Sequence, residues 1–337
     1  MTDKKDVLAR RVELSAKLEE NGVAFSATSR AIAGFDRLIG SVFDCGAALF
    51  EGAAGKIRIK NQISEDLLLE QGRLAKAELQ NTPLLGSTLI NEVLSDKARR
   101  KINAASVAVE TIEALKALPP PDQSSKGDDD AIHYNIDDDW MNSFVRYAED
   151  ASSERLQATW GRVLAGEISK PGSFSRHTLR FMAELDKETA EDCEILNRYR
   201  VGDKIFKNER WSSGKEYLAA VELQRLGLVE GVGGVGGPQQ NWDLNDNGDW
   251  VLVSGSWALQ IKGTPGAKIS LPVIIFTRLG REVMSLLVNH NDPNNLRELS
   301  EQLDKTALEL IIIGEIISIS KTQFQWKSGY TEIWRKP

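Results

Sequence analysis

The stretch Trp160-Gly161-Arg162-Val163-Leu164-Ala165-Gly166-Glu167-Ile168, followed by Pro171-Gly172-Ser173-Phe174-Ser175, is the most informative part of the chain. Trp160, Val163, Leu164 and Glu167 stand at i, i+3, i+4 and i+7, which puts them on one face of an α-helix. Pro171-Gly172 stops that helix near Ile168. Ser175 is placed to cap a following helix from Arg176 to Leu185. Gly161 and Gly166 inside the helix together cost about 2 kcal/mol relative to alanine. The simplest offset is a second helix crossing close to the glycine backbone. Trp160 would bury a large ring there, and its N–H needs a partner. Glu167 is placed to accept from that ring, or from the free amides where the chain re-enters a helix near Ser175.

On this reading the motif is a packing device. The functional alternative makes Glu167, Ser173, Ser175 and Arg176 a surface site, with Phe174 and the Pro171-Gly172 turn shaping it. That set lacks a His or Lys placed to activate a nucleophile. His177 adjoins Arg176, but neighbours on a helix point about 100° apart. No catalytic residue is assigned.

Working outward, Asp137-Asp138-Asp139 suits the start of a helix carrying Trp140, Phe144, Val145 and Ala148, since free amides and the dipole favour acids there. Asp186 caps a further helix. Residues 137–200 thus read as a small helical domain. Before it, 119–136 reads as an acidic linker opened by Pro119-Pro120-Pro121, too polar to build a core. In 1–118 two long helices are expected, from Ile57 to Gln80 and from Leu84 to Leu118. They break at Thr82-Pro83 and form a hairpin. Ahead of them Phe35, Leu38, Ile39, Val42 and Phe43 form an apolar helical stripe.

The character changes over 201–337. Ser213-Gly214-Lys215-Glu216 has the capping-box pattern. Its helix runs into Leu226-Gly227-Leu228-Val229 and a glycine-rich loop, Gly231 to Gly237. Trp250 to Ile261 and Lys268 to Phe276 read as strands with a turn at Asn247-Gly248. Thr277 to Met284 returns to helix. Leu308 to Trp334 reads as strands around a Ser328-Gly329 turn. The expected fold class is α+β, predominantly helical. It has an N-terminal helical hairpin, a small central helical domain and a C-terminal winged-helix-like part with β-hairpins.

The segment from Trp140 to Glu184 resembles a bacterial family known as a domain of unknown function, DUF2806-like. The resemblance rests on Trp160 to Ile168, Pro171 to Ser175 and Thr178-Leu179. Weaker echoes lie at Ala75-Lys76-Ala77-Glu78 and at Phe276-Thr277-Arg278-Leu279-Gly280. It implies a bacterial or phage-related source and supplies no activity.

Composition narrows the function classes. The chain has 337 residues, 41% apolar and 27% charged, with a net charge of −7. The surplus acids concentrate in 119–150, so the remainder is balanced and offers no broad attraction for phosphate backbones. Cys45 and Cys193 are too far apart in sequence to suggest a disulfide framework or zinc spacing, which favours a reducing, cytoplasmic setting. The N-terminal residues 1–11 carry no apolar signal core. His133, His177 and His290 are scattered, and Asp128-Asp129-Asp130 lacks the alternating ligands of a calcium loop, so no metal is expected. The Gly231–Gly237 run lacks the Gly-Lys-Ser/Thr ending of a phosphate loop and precedes a strand. No cofactor and no small-molecule ligand are expected.

Three functional expectations result. The first is a non-enzymatic interaction or regulatory protein, with a protein partner or a homo-oligomer as its business end. The second is a DNA-binding regulator, weakened by the charge-neutral helix after Ser213. Its one dense basic cluster, Lys97, Arg99, Arg100 and Lys101, reads as a solvated face. The third is a membrane-associated effector in phage defence, with Phe35, Leu38, Ile39, Val42 and Phe43 and the basic flank up to Lys60 as its membrane face; because the polar face carries acids as well as bases, packing in the helical hairpin or a dimer interface is the preferred use of that stripe.

Overall fold

Helical periodicity dominates the first half of the computed structural model and β pairing the second, as the change of pattern near 201 requires. The structure describes residues 15–20, 25–39, 51–78, 86–117, 136–233, 237–288, 292–320 and 323–337. Residues 119–135 of the acidic segment read as a linker, and Val42 and Phe43, lie outside the described residues. The architecture is α+β, with an N-terminal helical region and C-terminal sheets. It divides into two compact units, 1–183 and 184–337.

In the first unit a short helical stretch at 15–20 precedes α1 (Phe25–Ile39), α2 (Gly52–Glu78), α3 (Gly86–Ala117), α4 (Asp138–Asp150), α5 (Glu154–Ser169) and α6 (Arg176–Ala183). The long hairpin is present. Lys56 contacts Glu110, while Ile63 and Glu70 line the same seam as Leu94 and Lys101, so α2 and α3 run antiparallel. Asp137 caps α4 by accepting from the Trp140 amide at 2.8 Å, and the acids Asp138 and Asp139 fill its first turn. Ser153 caps α5.

The membrane or dimer face expected at Phe35 and Leu38 is overturned: there the apolar stripe is a packing face. Its helix begins ten residues earlier, at Phe25, and Phe35 and Leu38 are 0% and 4% exposed. They face inward because α1 lies against α3, α4 and α5, where Ala31, Phe35 and Leu38 complete one buried stripe. Neither side chain is free to meet a bilayer. No helix among the described residues is long and apolar enough to cross a membrane.

The second unit opens with α7 (Lys187–Arg198), capped by Asp186 accepting from the Thr189 amide at 2.7 Å. Then come β1 (Lys204–Phe206), a 3₁₀ turn at Glu209–Ser212, α8 (Gly214–Arg225), β2 (Val229–Glu230), β3 (Gln239–Asp243), β4 (Asp249–Ser254), β5 (Trp257–Gly263) and β6 (Lys268–Phe276). After α9 (Arg278–Met284) and α10 (Pro293–Glu301) the chain ends in β7 (Leu308–Ser320), β8 (Gln323–Trp326) and β9 (Thr331–Arg335). β3 pairs with β6 and β4 with β5, all antiparallel, so 239–276 is one long ribbon with a break at its middle. Its near half joins β1 and β2 in the order β1-β6-β2. Its far half is extended by the C-terminal strands in the order β4-β5-β7-β8, with β9 also on β7. The core between them holds Phe206, Leu259, Ile261, Val273, Leu296, Leu299, Ile311 and Ile313.

Two local readings differ from the structure. Trp250 to Ile261 is not one strand, because Gly255 sits at φ 59° and turns the chain between β4 and β5. Ser213 occupies the N-cap of α8 without a side-chain hydrogen bond, and Glu216 turns instead to the Tyr199 hydroxyl at 3.4 Å. The echo at Phe276–Gly280 has a clear structural role. Thr277 caps α9, accepting from the Gly280 amide at 3.1 Å, and its own amide donates to the Leu228 carbonyl at 2.9 Å. A Cβ on Gly280 would stand 1.9 Å from that same carbonyl oxygen, so only glycine admits the approach.

Candidate functional site

The signature residues converge on the turn after α5. Glu167 is 3% exposed, and its two carboxylate oxygens accept from the Gly172 amide at 2.6 Å and the Phe174 amide at 3.1 Å. These are charge-assisted bonds to amides that no helix would otherwise satisfy. Gly172, at φ 84°, makes the bend that aims them. Phe174, 5% exposed, folds back until a Cβ on Gly166 would lie 2.7 Å from its ring. Its carbonyl accepts from the Trp140 indole N–H at 2.7 Å, tying α4 to the same turn. Ser175 then caps α6, accepting from the Thr178 amide at 3.2 Å. Arg176 is exposed and reaches Asp139 at 3.6 Å. Pro171 is half-buried at the turn.

The other end of α5 meets α3. A Cβ on Gly161 would stand 2.5 Å from the Glu110 Cβ, 2.8 Å from the Glu110 carbonyl carbon and 2.9 Å from the Thr111 nitrogen. Gly161 is thus the point where two helix backbones touch, which accounts for a glycine inside a helix. Trp160 stacks on Tyr147 with ring centroids 5.6 Å apart and meets Phe144 edge-on, while Trp140 stacks on Phe144 at 5.2 Å. These aromatic pairs lock α4 to α5. Arg30 of α1 donates to the Ile168 carbonyl at 2.7 Å, satisfying an orphan group at the C-terminus of α5.

Glu167, Gly166 and Phe174 are therefore brought together at the turn after α5, with Arg176 and Ser173 at its rim, while Trp160 and Gly161 form a separate contact at the other end of α5. The Glu167 oxygens receive the turn amides rather than the Trp160 ring, whose neighbours are aromatic. Sequence reasoning missed Arg30, Asn103 and Gln157. Each satisfies a backbone carbonyl: Asn103 that of Glu149 at 2.8 Å, and Gln157 that of Ala151 at 3.0 Å. A buried polar side chain on an otherwise apolar face was the available signal for the last two.

Outside this locus, no group of three or more His, Cys, Asp or Glu among the described residues could hold a metal. Cys193 is 1% exposed, and burial, ahead of the charges of Asp192 and Glu194, pushes its thiol up to about 12. A neutral thiol out of solvent is inert. Iodoacetamide at pH 8 is expected to leave Cys193 unlabelled in the native protein and to modify it on unfolding, as read by peptide mass mapping. Prompt native labelling contradicts the burial. The unfolded thiol ionises nearer its ordinary 9.0. This contribution to stability is therefore intact below pH 9 and is lost as pH rises toward 12.

A second cluster lies on the hairpin. Ile63, Asp66 and Glu70 of α2 and Leu94, Lys97, Ala98 and Lys101 of α3 line a cavity of about 230 Å³ along the seam. Arg99 and Arg100, from the predicted basic cluster, both pair with Asp96 at 2.6 and 2.8 Å. One shared carboxylate thus offsets one of the cluster's four charges. Exposed apolar side chains stand on the same hairpin: Ile57, Leu68, Leu69 and Val93, at 63%, 65%, 74% and 65%.

No curated protein and no solved structure matches the chain. One family model matches, over residues 99–200, with the description "Protein of unknown function (DUF2806)". The matched span begins inside α3, so it includes both sides of the Gly161 contact and the whole Glu167 turn. Residues 99–200 are accordingly a DUF2806-like domain of unknown function.

Proposed function

We propose that the chain is an intracellular interaction or regulatory protein. Its signature segment holds a helical body together, and the α2–α3 hairpin is what that body offers to another protein. The observation that carries this reading is the exposure of Ile57, Leu68, Leu69 and Val93 on α2 and α3; α2 packs chiefly on α3, whose most extensive contact is with α5. A helix in a finished monomer hides its apolar stripe, and grouped exposed apolar side chains mark contact surfaces. The signature's own polar group supports the reading too, because both Glu167 oxygens are engaged by backbone amides.

The test is capture from the native host by the tagged full chain, compared with Leu68→Asp and Leu69→Asp together. Specific retention of a protein by the wild-type chain, lost in that variant, is expected. Steady turnover of nucleotides, esters or nucleic acids that the variant retains contradicts the proposal.

A second reading, a DNA-binding regulator, is favoured by one observation. The elements α7, β1, 3₁₀ turn, α8, β2 and β6, with sheet order β1-β6-β2, follow a winged-helix order. Against it, α8 exposes Leu218 at 65%, and its Arg225 pairs with Glu222 at 2.7 Å. A reader of DNA needs base- and phosphate-contacting side chains there. Salt-sensitive binding of duplex DNA that Lys215→Glu weakens supports this reading, and no shift of duplex DNA at low salt removes it.

A further inference from the structure

The seam between α2 and α3 has a polarity that points to a particular occupant. One bank, on α2, carries Asp66 and Glu70; the other, on α3, carries Lys97 and Lys101; Ile63, Leu94 and Ala98 lie between them. Glu70 is also held by Arg73 at 2.6 Å. Leu69 follows Asp66 by three residues and Val93 precedes Lys97 by four. At those spacings on a helix, each exposed apolar side chain shares a face with its charged neighbour. The face as a whole is therefore an apolar strip with one acidic and one basic edge.

We propose that a second copy of this chain docks on this face, hairpin against hairpin, to give a four-helix bundle. This rests on the reading of the hairpin as an interaction surface and names its partner. Charge selects the geometry. If the two-fold axis crossed the helices, α2 would face α2, and acid would meet acid. If the axis runs along the seam, α2 of each copy lies on the partner's α3. Asp66 and Glu70 then oppose the partner's Lys97 and Lys101, while Leu69 and Val93 are covered. Such an interface is isologous, so a single surface supplies both sides. Its extent is adequate as well. The 27-residue α2 is about 40 Å long, and two helices side by side span about 20 Å. The hairpin is thus long enough for the contact to extend beyond the seam residues along both helices.

The test uses the full chain in sedimentation equilibrium, with two variants of opposite sign: Asp66→Lys with Glu70→Lys, and Lys97→Glu with Lys101→Glu. The wild type is expected at twice the 37.3 kDa chain mass. Each variant alone is expected at the single-chain mass, with dimer dissociation strengthened at least tenfold. An equimolar mixture is expected to recover the dimer, because each variant's altered edge then meets its complement. Mixing repairs no contact within a chain, so recovery reads the intermolecular contact alone. Should a double reversal melt the hairpin by circular dichroism, Leu69→Glu reads the same face and is expected to be monomeric. A single-chain mass for the wild type, a dimer in both variants, or a mixture that stays monomeric overturns the proposal. If the wild type is a monomer but still captures a different protein through the hairpin, the second copy is excluded and the interaction reading stands. Loss of both removes both.

Discussion

Gly161→Val is expected to unfold the helical unit at ambient temperature or to leave it severely destabilised, by about 3 kcal/mol or more. The atoms a Cβ would strike at 2.8 and 2.9 Å belong to the α3 backbone, and the third is a Cβ fixed to it. None of these can rotate away, so the helices must separate. Overpacking a core costs about 1–3 kcal/mol even where side chains can yield. The helices forced apart here share the best-packed contact in the unit, with Val163, Leu164, Val107 and Ala108 fully buried beside it. Gly72→Ala supplies the contrast. Beyond its own helix turn, no atom among the described residues lies within 4 Å of its Cβ position, and the site is exposed on α2. There the gain in helix propensity should stabilise by up to about 1 kcal/mol. Urea unfolding followed by circular dichroism measures both. Equal effects at the two glycines would mean that α5 does not touch α3 as described.

Glu167→Gln is expected to cost about 2–3 kcal/mol, although the substitution removes a single charge and almost no volume. A carboxylate presents two acceptors to the Gly172 and Phe174 amides; a carboxamide presents one acceptor and one donor. Whichever way it is turned, one buried N–H meets an N–H. Hydrogen bonds to charged groups contribute about 1.5–3 kcal/mol, and an orphaned buried donor costs a similar amount. Glu167→Ala should cost more, since both amides lose their partner and a cavity opens under Phe174. Ser173→Ala, which removes only a bond from a half-buried hydroxyl to the Lys170 carbonyl, should stay within about 1 kcal/mol. Thermal unfolding of the three variants gives the order. A Glu167→Gln variant as stable as the wild type would leave the carboxylate without its structural role.

Local chemistry made much of this legible beforehand. The caps at Asp137, Ser175 and Asp186, the Pro171-Gly172 stop and the Asn247-Gly248 turn each depend on a few neighbouring residues, and each lies where its side-chain pattern puts it. The glycine cost in α5 announced a close crossing, but not that α3, some fifty residues upstream, makes it. That identity is a non-local fact with no periodic signature. The apolar stripe at Phe35 could be seen, though its direction could not: a helix face looks the same whether it meets lipid, a second copy or α5. Similarly, the extension of the 239–276 ribbon by β7 to β9 depends on pairings such as Leu259 with Ile313, which follow from tertiary closure rather than strand propensity. In the signature, residue types pointed to a buried Trp and a paired acid. Which amides the acid would hold emerged only once Gly172 placed them.

As a brace for the helical body, the signature must hold the Gly172 and Phe174 amides in the folded chain. Amide hydrogen exchange at Gly172 and Phe174 reads this most directly, because both lie in the short connection between α5 and α6, where no helical carbonyl protects them. In the wild-type chain these two amides are expected to exchange slowly, with the α5 core. In Glu167→Gln their protection should collapse while that of Val163 and Leu164 persists. Fast exchange of both amides in the wild-type chain would contradict the account.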